Sequence, residues 1–387
     1  MTSSNPSDRF DLAVVGAGIV GLATALAAVR RGLRVAVIDR DAQANGASVR
    51  NFGFITVTGQ ERGAMWRRAR RSREVWSEVA SAAGIPIVHT GLWMSARRPE
   101  SLAVLEAFMA TDMAEGCRLL EPAEARRRCP SMAAPDLVAV LESRVELRVE
   151  SRTAIPRLAA WLAESHGVSF LRGTTALTVE PWGVRTSRGP VRADHVAVCP
   201  GDDFGVLYPE RLAAHALTRC KLQMLRLADP GFRLPAALMS DLGLGRYQGY
   251  AALPAAAPLK ARLAAEQPAH LRHGIHLIVV QSADGTLVVG DSHHYAATPD
   301  PFSLEEVDEL IREEFRAALG IEPPATLERW TGTYASAADR AVLIEAPDPR
   351  VRVAIVTCGA GASTGFALGE EVVESLLSTG LSTGGGA

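Results

Sequence analysis

The sequence predicts a mixed α/β fold, with a parallel sheet assembled from separated stretches of chain and antiparallel strands inserted between them. Three observations carry this expectation. An apolar strand ending at Val15 runs into Gly16-Ala-Gly18-Ile-Val-Gly21 and an alanine-rich helical stretch, and a second apolar run, Val35 to Ile38, ends on Asp39. Strands of the same buried type close on glycine in the middle of the chain, Asp194 to Gly201, and near its end, Val351 to Gly365. Between these, residues 219–299 alternate apolar and polar positions in the manner of antiparallel strands.

Each element of the opening unit has a separable role. Gly16 permits a tight turn, Gly18 lets backbone approach a pyrophosphate, and Gly21 lets helix and strand pack closely. The phosphates then meet the positive end of the helix and its unpaired N–H groups. Asp39 stands where a carboxylate accepts from ribose hydroxyls. Strand, turn, helix, strand and acid in this order make a Rossmann-like unit for a dinucleotide. A simple nicotinamide-binding domain is contiguous, whereas the nucleotide-type segments here are interleaved with other material.

Bulk properties narrow the function classes. The chain has 387 residues, enough for two structural units, with 48% hydrophobic and 22% charged residues. A net charge of −2 leaves no electrostatic footprint for nucleic acid. Lys221 and Lys260 are the only lysines, so candidates for a catalytic amine are few. Cys117, Cys129, Cys199, Cys220 and Cys358 show no CxxC spacing, which argues against a disulfide framework or a zinc site and for a reducing compartment. The stretch from Met1 to Arg9 lacks the apolar core of a signal peptide, and no segment approaches the roughly 20 apolar residues that cross a bilayer. A cytoplasmic protein without a membrane span is expected, with a flexible tail at 381–387.

Along the chain, residues 61–83 read as an amphipathic helix whose Arg62, Arg67, Arg68, Arg70, Arg71 and Arg73 form a solvated face. A second helix spans 153–166 and ends at Gly167. Strands follow at 168–171 and 175–180, with a turn at Pro181-Trp-Gly183. In the insertion, strands are expected at 221–227, 275–281 and 286–290, the last two joined through Asp284-Gly285. A charged helix covers 303–319. His273 and His276 are assigned to a strand, where their spacing puts them on opposite faces, so no metal site is expected. The expected division is 8–88, 145–218 and 328–380 for the nucleotide unit, and 89–144 with 219–327 for a substrate unit.

Past Asp39 the chain reads Asn45-Gly-Ala-Ser48-Val-Arg50-Asn51-Phe-Gly53. This segment resembles the second signature of the amino-acid and amine oxidase flavoproteins, which include glycine oxidase, sarcosine oxidase and D-amino-acid oxidase. The segment ending at Gly201 and the closing turn Cys358-Gly-Ala-Gly-Ala-Ser-Thr-Gly365 are similar to the family's middle and final motifs. The resemblance implies bound FAD and an oxidoreductase that takes a hydride from an amine-bearing carbon, giving an imine that water hydrolyses to aldehyde and amine or ammonia. Carried onto this sequence, the cofactor-binding set is Gly16, Gly18, Ile19, Gly21, Asp39, Arg40, Ala47, Ser48, Arg50, Asn51, Gly53, Ala176, Gly201, Gly359, Gly361, Ala362, Ser363 and Thr364. Arg50 is placed to stabilise charge on reduced flavin, and Cys358 is taken as a packing residue.

Departures from the family bear on the substrate. Gly332 stands near the position where some members tether FAD through cysteine, so the cofactor is expected to be non-covalent. Tyr334 and Ala362-Ser363-Thr364 replace the family's basic residues for a substrate carboxylate, and neither gives a bidentate charged contact. The stretch Gly290-Asp-Ser-His293-His294-Tyr295 resembles a subgroup linked to aminophosphonate breakdown, which implies a 2-aminoethylphosphonate derivative as the small-molecule substrate. Tyr250, His294, Tyr334 and Arg246 are the expected catalytic and substrate residues, with Tyr247 and His293 as further polar groups. Reoxidation is expected by O2 or another acceptor. The alternatives are a D-amino-acid, glycine or sarcosine-type oxidase or dehydrogenase, a non-catalytic flavin-binding module, and an NAD-dependent dehydrogenase. The oligomeric state stays open.

Overall fold

The protein is described by a computed structural model covering residues 9–380, so residues 1–8 and the expected tail at 381–387 lie outside the described residues. Two sheets organise it. The first runs in the order Val342–Asp348, Val351–Val356, Gly189–Val198, Phe10–Val15, Val35–Ile38, Ser169–Leu171. All neighbouring pairs in that row are parallel except the antiparallel edge pair 342–348 with 351–356. The four residues Val35–Ile38 are buried throughout, as a parallel strand covered on both faces requires. A hairpin of Ala176–Glu180 and Gly183–Thr186 adds to the extended strand 189–198.

One face of this sheet is covered by the first helix, Ile19–Val29, which is buried almost all round. The helix Ser151–His166 and the final helix Gly361–Gly380 join the same core through Leu158, Leu162, Phe366 and Val372. The arginine-rich helix, Ala64–Ala82, lies against the final helix: Trp76 meets Phe366 edge-on at 5.0 Å, and the Ala367 N–H donates to Ser72 Oγ at 3.0 Å. Arg68 and Arg71 pair with Glu371 and Glu370, each at 2.8 Å. Its arginines therefore serve helix packing as well as solvation.

The second sheet has ten strands and holds the insertion. Its long members are Ile87–Ala96, Ala139–Val149, Thr218–Leu227 and Thr326–Ser336. The hairpin expected at Asp284-Gly285 joins Ile278–Gln281 antiparallel to Leu287–Gly290. Leu92, Met94, Phe108, Met224 and Met239 fill one face, and Trp93, Leu225, Val279 and Phe315 the other.

Three expectations need correction. Residues 219–299 are not strands throughout, because Gln248–Ala251, Ala256–Glu266 and Pro268–Arg272 are helical. The alanine-rich run after Pro254 favours helix, and Pro268 sits in the first turn of its own. His273 caps that last helix and is not on a strand. Residues 328–336, expected with the nucleotide unit, pair with 218–226 in the second sheet.

Trp76 ties the helix layer to the closing turn, its Nε1 donating to the Ala362 carbonyl at 2.8 Å. Trp76→Ala should cost about 3–5 kcal/mol in a denaturant melt, while Trp76→Phe, which keeps most of the ring packing, should cost about 1–2. Equal losses would mean that the indole N–H, not the packing, holds this layer.

Candidate active site

A cleft of about 630 Å³ runs between the two sheets, within the size range of cofactor and ligand sites. It opens where four parallel strands end, at Val15, Ile38, Val198 and Val356, the edge where open α/β sheets bind ligands. The opening turn is shaped by contact distances. Gly16 has φ of +101°, and a Cβ there would lie 2.3 Å from the Cys199 carbonyl oxygen. A Cβ on Gly21 would lie 1.9 Å from the Gly16 carbonyl oxygen, so no larger residue lets the helix begin this close to the strand.

Side chains hold the cradle in place. Ser48 Oγ accepts the Ile19 N–H at 2.9 Å, joining the second loop to the helix N-terminus. Asp39 accepts from the Ala17 N–H at 2.6 Å and from the Asp41 N–H at 2.9 Å, which leaves its outer lone pairs for ribose hydroxyls. Arg40 pairs with Asp203 across the mouth at 2.6 Å. Asn51 uses both ends of its amide inside the loop, donating to the Ala47 carbonyl and accepting from the Gly53 N–H, each at 2.7 Å. Arg50 donates to Asn45 at 3.1 Å and to the Thr331 carbonyl at 3.4 Å, and it lines the cleft.

The far end is closed by the last turn. Gly359, Gly361, Ala362 and Ser363 line it, and Ser363 Oγ accepts the Thr56 N–H at 2.9 Å. Cys358 is exposed on the cleft wall and not a buried packing residue, though desolvation among its neighbours still pushes its thiol up to about 11; burial pushes that of Cys199 to about 12, so both stay protonated near neutrality.

Beyond this turn the cleft is lined by Arg246, Tyr247, His276, Asp291, His293, Tyr295 and Tyr334. Arg246 donates to the Tyr295 hydroxyl at 3.0 Å. The His276 and His293 rings lie 4.5 Å apart, tilted by 36°, and Asp291 faces both, 3.6 Å from His276 Nε2 and 3.8 Å from His293 Nε2. Among the described residues this is the one group of His, Cys, Asp and Glu atoms gathered closely enough to share a small cation. Burial raises Asp291 from 3.8 to about 7, with nearby Arg246 opposing the rise. Burial holds both histidines well below their ordinary range, and Arg246 adds to this.

Most expected cofactor residues line this cleft: Gly16, Gly18, Ile19, Gly21, Asp39, Arg40, Ala47, Ser48, Arg50, Asn51, Ala176 and Gly201, with the closing-turn residues named above. Gly53 and Thr364 do not. Gly53 turns the chain against the Val149 carbonyl, and Thr364 Oγ1 bonds back to the Ala360 carbonyl at 2.8 Å. Of the expected substrate residues, Arg246 and Tyr334 line the cleft, whereas Tyr250 and His294 lie elsewhere. Tyr250 is 1% exposed, its ring 4.7 Å from Phe108 and packed against Gly59. His294 points away from the cleft and bonds His273 at 3.0 Å, because neighbours along a strand alternate and His293 and Tyr295 take the cleft side. Lys221 is bound to Asp300 at 2.9 Å and does not line the cleft. Sequence reasoning missed Asp291 as a site residue, and it read His276 only by spacing to His273; the Asp-Ser-His motif was the available signal.

The profile of the family described as FAD dependent oxidoreductase matches residues 11–375. The bifunctional protein ThiO/ThiG of Nostoc sp. is 28% identical over 239 residues, covering 57% of this chain and 34% of that protein, so the match spans about a third of the curated relative's length. Glycine oxidase from Bacillus cereus superposes with a TM-score of 0.75 at 16% identity, covering 95% of each chain. L-alpha-glycerophosphate oxidase from Mycoplasma pneumoniae, with FAD bound, gives 0.75 at 17% identity, covering 96% of this chain and 95% of that one. These structural likenesses are likenesses of fold. The glycine turns, Asp39 and the closing loop all border the cleft, and their chemistry fits FAD as the group they would hold.

Asp291 keeps a proton in the folded protein that the unfolded chain has already lost between about pH 4 and pH 7, so its contribution to stability falls as pH rises through that window. Asp291→Asn should therefore melt higher than the native protein at about pH 8, with the difference shrinking towards about pH 4. A difference that grows on acidification would mean that the folded state holds Asp291 as a favoured carboxylate.

Proposed function

The chain belongs to the FAD-dependent oxidoreductase family, and on that premise we propose that it oxidises the amine-bearing carbon of a small amine with an anionic head. The bound flavin supplies the hydride acceptor, and the protein supplies binding, orientation and electrostatics. The observation that carries this reading is the polarity of the substrate end. Arg246 offers a fixed positive charge with the Tyr295 hydroxyl beside it, while Asp291, His276 and His293 form an acceptor cluster. A substrate with an anion at one end and an amine at the other matches that arrangement.

The preferred head group is a phosphonate, making the substrate a 2-aminoethylphosphonate derivative. Its two negative charges call for more donors than a carboxylate uses, and Arg246, Tyr247, Tyr295 and Tyr334 all border the space. Arg246 also favours a second reading. It restores from another element the cation that Tyr334 does not provide, so a glycine, sarcosine or D-amino-acid type substrate is served by the same side chain. The neighbours' names include both a glycine oxidase and a glycerophosphate oxidase, so fold alone does not choose. Product imine would hydrolyse to aldehyde and amine or ammonia, with reduced FAD returned by O2 or another acceptor. No helix among the described residues is long and apolar enough to cross a membrane, and the five cysteines are unpaired, which supports a reducing, cytoplasmic setting.

Two measurements test this. Anaerobic mixing with 2-aminoethylphosphonate, its N-methyl and 1-hydroxy forms, glycine, sarcosine and D-alanine should bleach the flavin fastest with a phosphonate, and peroxide release in air identifies O2 as acceptor. Arg246→Met should lower kcat/KM for the anionic amine about 100-fold, mainly through KM, and leave a neutral-headed amine such as ethanolamine little affected. Equal losses for both would remove Arg246 from anion binding. Acid precipitation should release the yellow chromophore into the supernatant, whereas flavin held in the pellet would show a tether, with Cys358 and Cys199 as the cysteines lining the cleft.

A further inference from the structure

The cluster formed by His276, Asp291 and His293 has a hydrogen-bonding problem that the protein does not solve by itself. The Gly274 carbonyl faces Nδ1 of His293 at 2.9 Å and Nδ1 of His276 at 3.4 Å. A carbonyl only accepts, so both rings carry their proton on Nδ1 and turn a bare Nε2 towards Asp291. The two Nε2 atoms and an Asp291 oxygen lie within 4.8 Å of one another, and once Asp291 is ionised all three are acceptors. The three residues are 3%, 5% and 7% exposed for His276, Asp291 and His293, so they are reached only from the cleft that they line. One atom, Asp291 Oδ1, has no hydrogen-bond partner at all. The protein offers few donors: the Tyr247 hydroxyl, 3.3 Å from His276 Nε2, and the backbone N–H of Asp291 to its own carboxylate. Converging buried acceptors with few donors are costly, and a primary ammonium, with three N–H groups in a compact head, is their complement.

We infer that His276, Asp291 and His293 form the subsite for the substrate's ammonium group and that Asp291 takes one of its protons. This rests on the amine-oxidising reading given above. The cluster borders the same cleft as Arg246 and Tyr334, and the His293 ring stands 6.4 Å from that of Tyr334. The substrate thus lies with its anion towards Arg246 and its nitrogen towards Asp291. In the step, one N–H bond of the ammonium breaks and its electron pair stays on nitrogen, while an O–H bond forms on the Asp291 carboxylate. The freed lone pair is then available to become the second bond of the imine when the neighbouring carbon gives up a hydride, which bound FAD would accept. The groups around Asp291 support the transfer. His276 and His293 stay neutral, Tyr247 and Tyr334 are held protonated by burial, and Cys220 likewise, its thiol pushed up to about 11. Arg246 is the cation that keeps a carboxylate attainable, and Asp291 itself sits at about 7, the range in which a proton acceptor works best.

The experiment is the anaerobic flavin-reduction rate at saturating substrate, across pH, for native holoenzyme and Asp291→Asn, using whichever amine of the panel above bleaches the native flavin fastest. The native rate should reach its plateau near neutrality. The Asn variant should be slower at neutral pH by about 100-fold or more and should recover as pH rises towards about 10, where alkyl amines lose their own proton. A variant with the native rate and profile overturns the inference and leaves the amine-oxidising reading standing; a native enzyme that no amine bleaches overturns that reading, and the inference with it. A measurement on the native protein alone guards against a misfolded variant. Perturbation of the flavin spectrum should show an N-trimethylated analogue, which has no N–H to give, binding at least about 10-fold more weakly than the desamino alkylphosphonate of the same length. Equal or tighter binding of the trimethyl form overturns the ammonium site. So does a stoichiometric divalent metal in purified holoenzyme that the Asn variant lacks.

Discussion

The rest of the structure depends on one close approach. The first helix begins so near the end of the first strand that Gly21 abuts the Gly16 carbonyl, and the sheet, the cradle and the cleft are all referred to that contact. It brings the helix N-terminus to the sheet edge, where free N–H groups and the helix dipole meet diphosphate. It also sets where Ser48 must stand to accept the Ile19 N–H, and where Asp39 must stand to accept that of Ala17. The second loop and the second strand are thus aligned on the first turn and not independently.

The substrate end is built by different means. The glycine turns shape one end of the cleft, while the polar groups that line its other end come from the second sheet and its loops. Arg246 comes from one segment, and Asp291 and His293 from a single short stretch that begins 45 positions later, and each is buried or half-buried against its neighbours. Separating the two tasks would let a nucleotide cradle stay constant while the wall opposite it changes.

Much of this was legible in the sequence because its signals are local. The glycine turn, Asp39, the Asn45–Gly53 loop and the closing turn each declare themselves within a dozen residues, and the cleft includes nearly all of them. What was not legible is what depends on three dimensions. The helices at 248–272 interrupt a region whose strands have clear alternation, and the alanine-rich stretch looks merely apolar in a window tuned to period two. The choice of His293 over His294 depends on which face of one strand meets the cleft, and no pattern in five residues decides it. Tyr250 carries the chemistry of a site residue but fills the space behind Gly59. Asp291 and His276 are fifteen positions apart, joined only by the strand pair that folds between them.

The hydrogen bonds between Thr56 and Ser363 span 307 positions of chain. The first turn of the cradle leaves the ribosome long before its final wall has been made, so during most of synthesis the nascent chain displays half of a binding site. Contacts of such separation are slow to form, because loop closure must precede any gain from them. A cradle held by that contact can close only after the segment that carries Ser363 has been made.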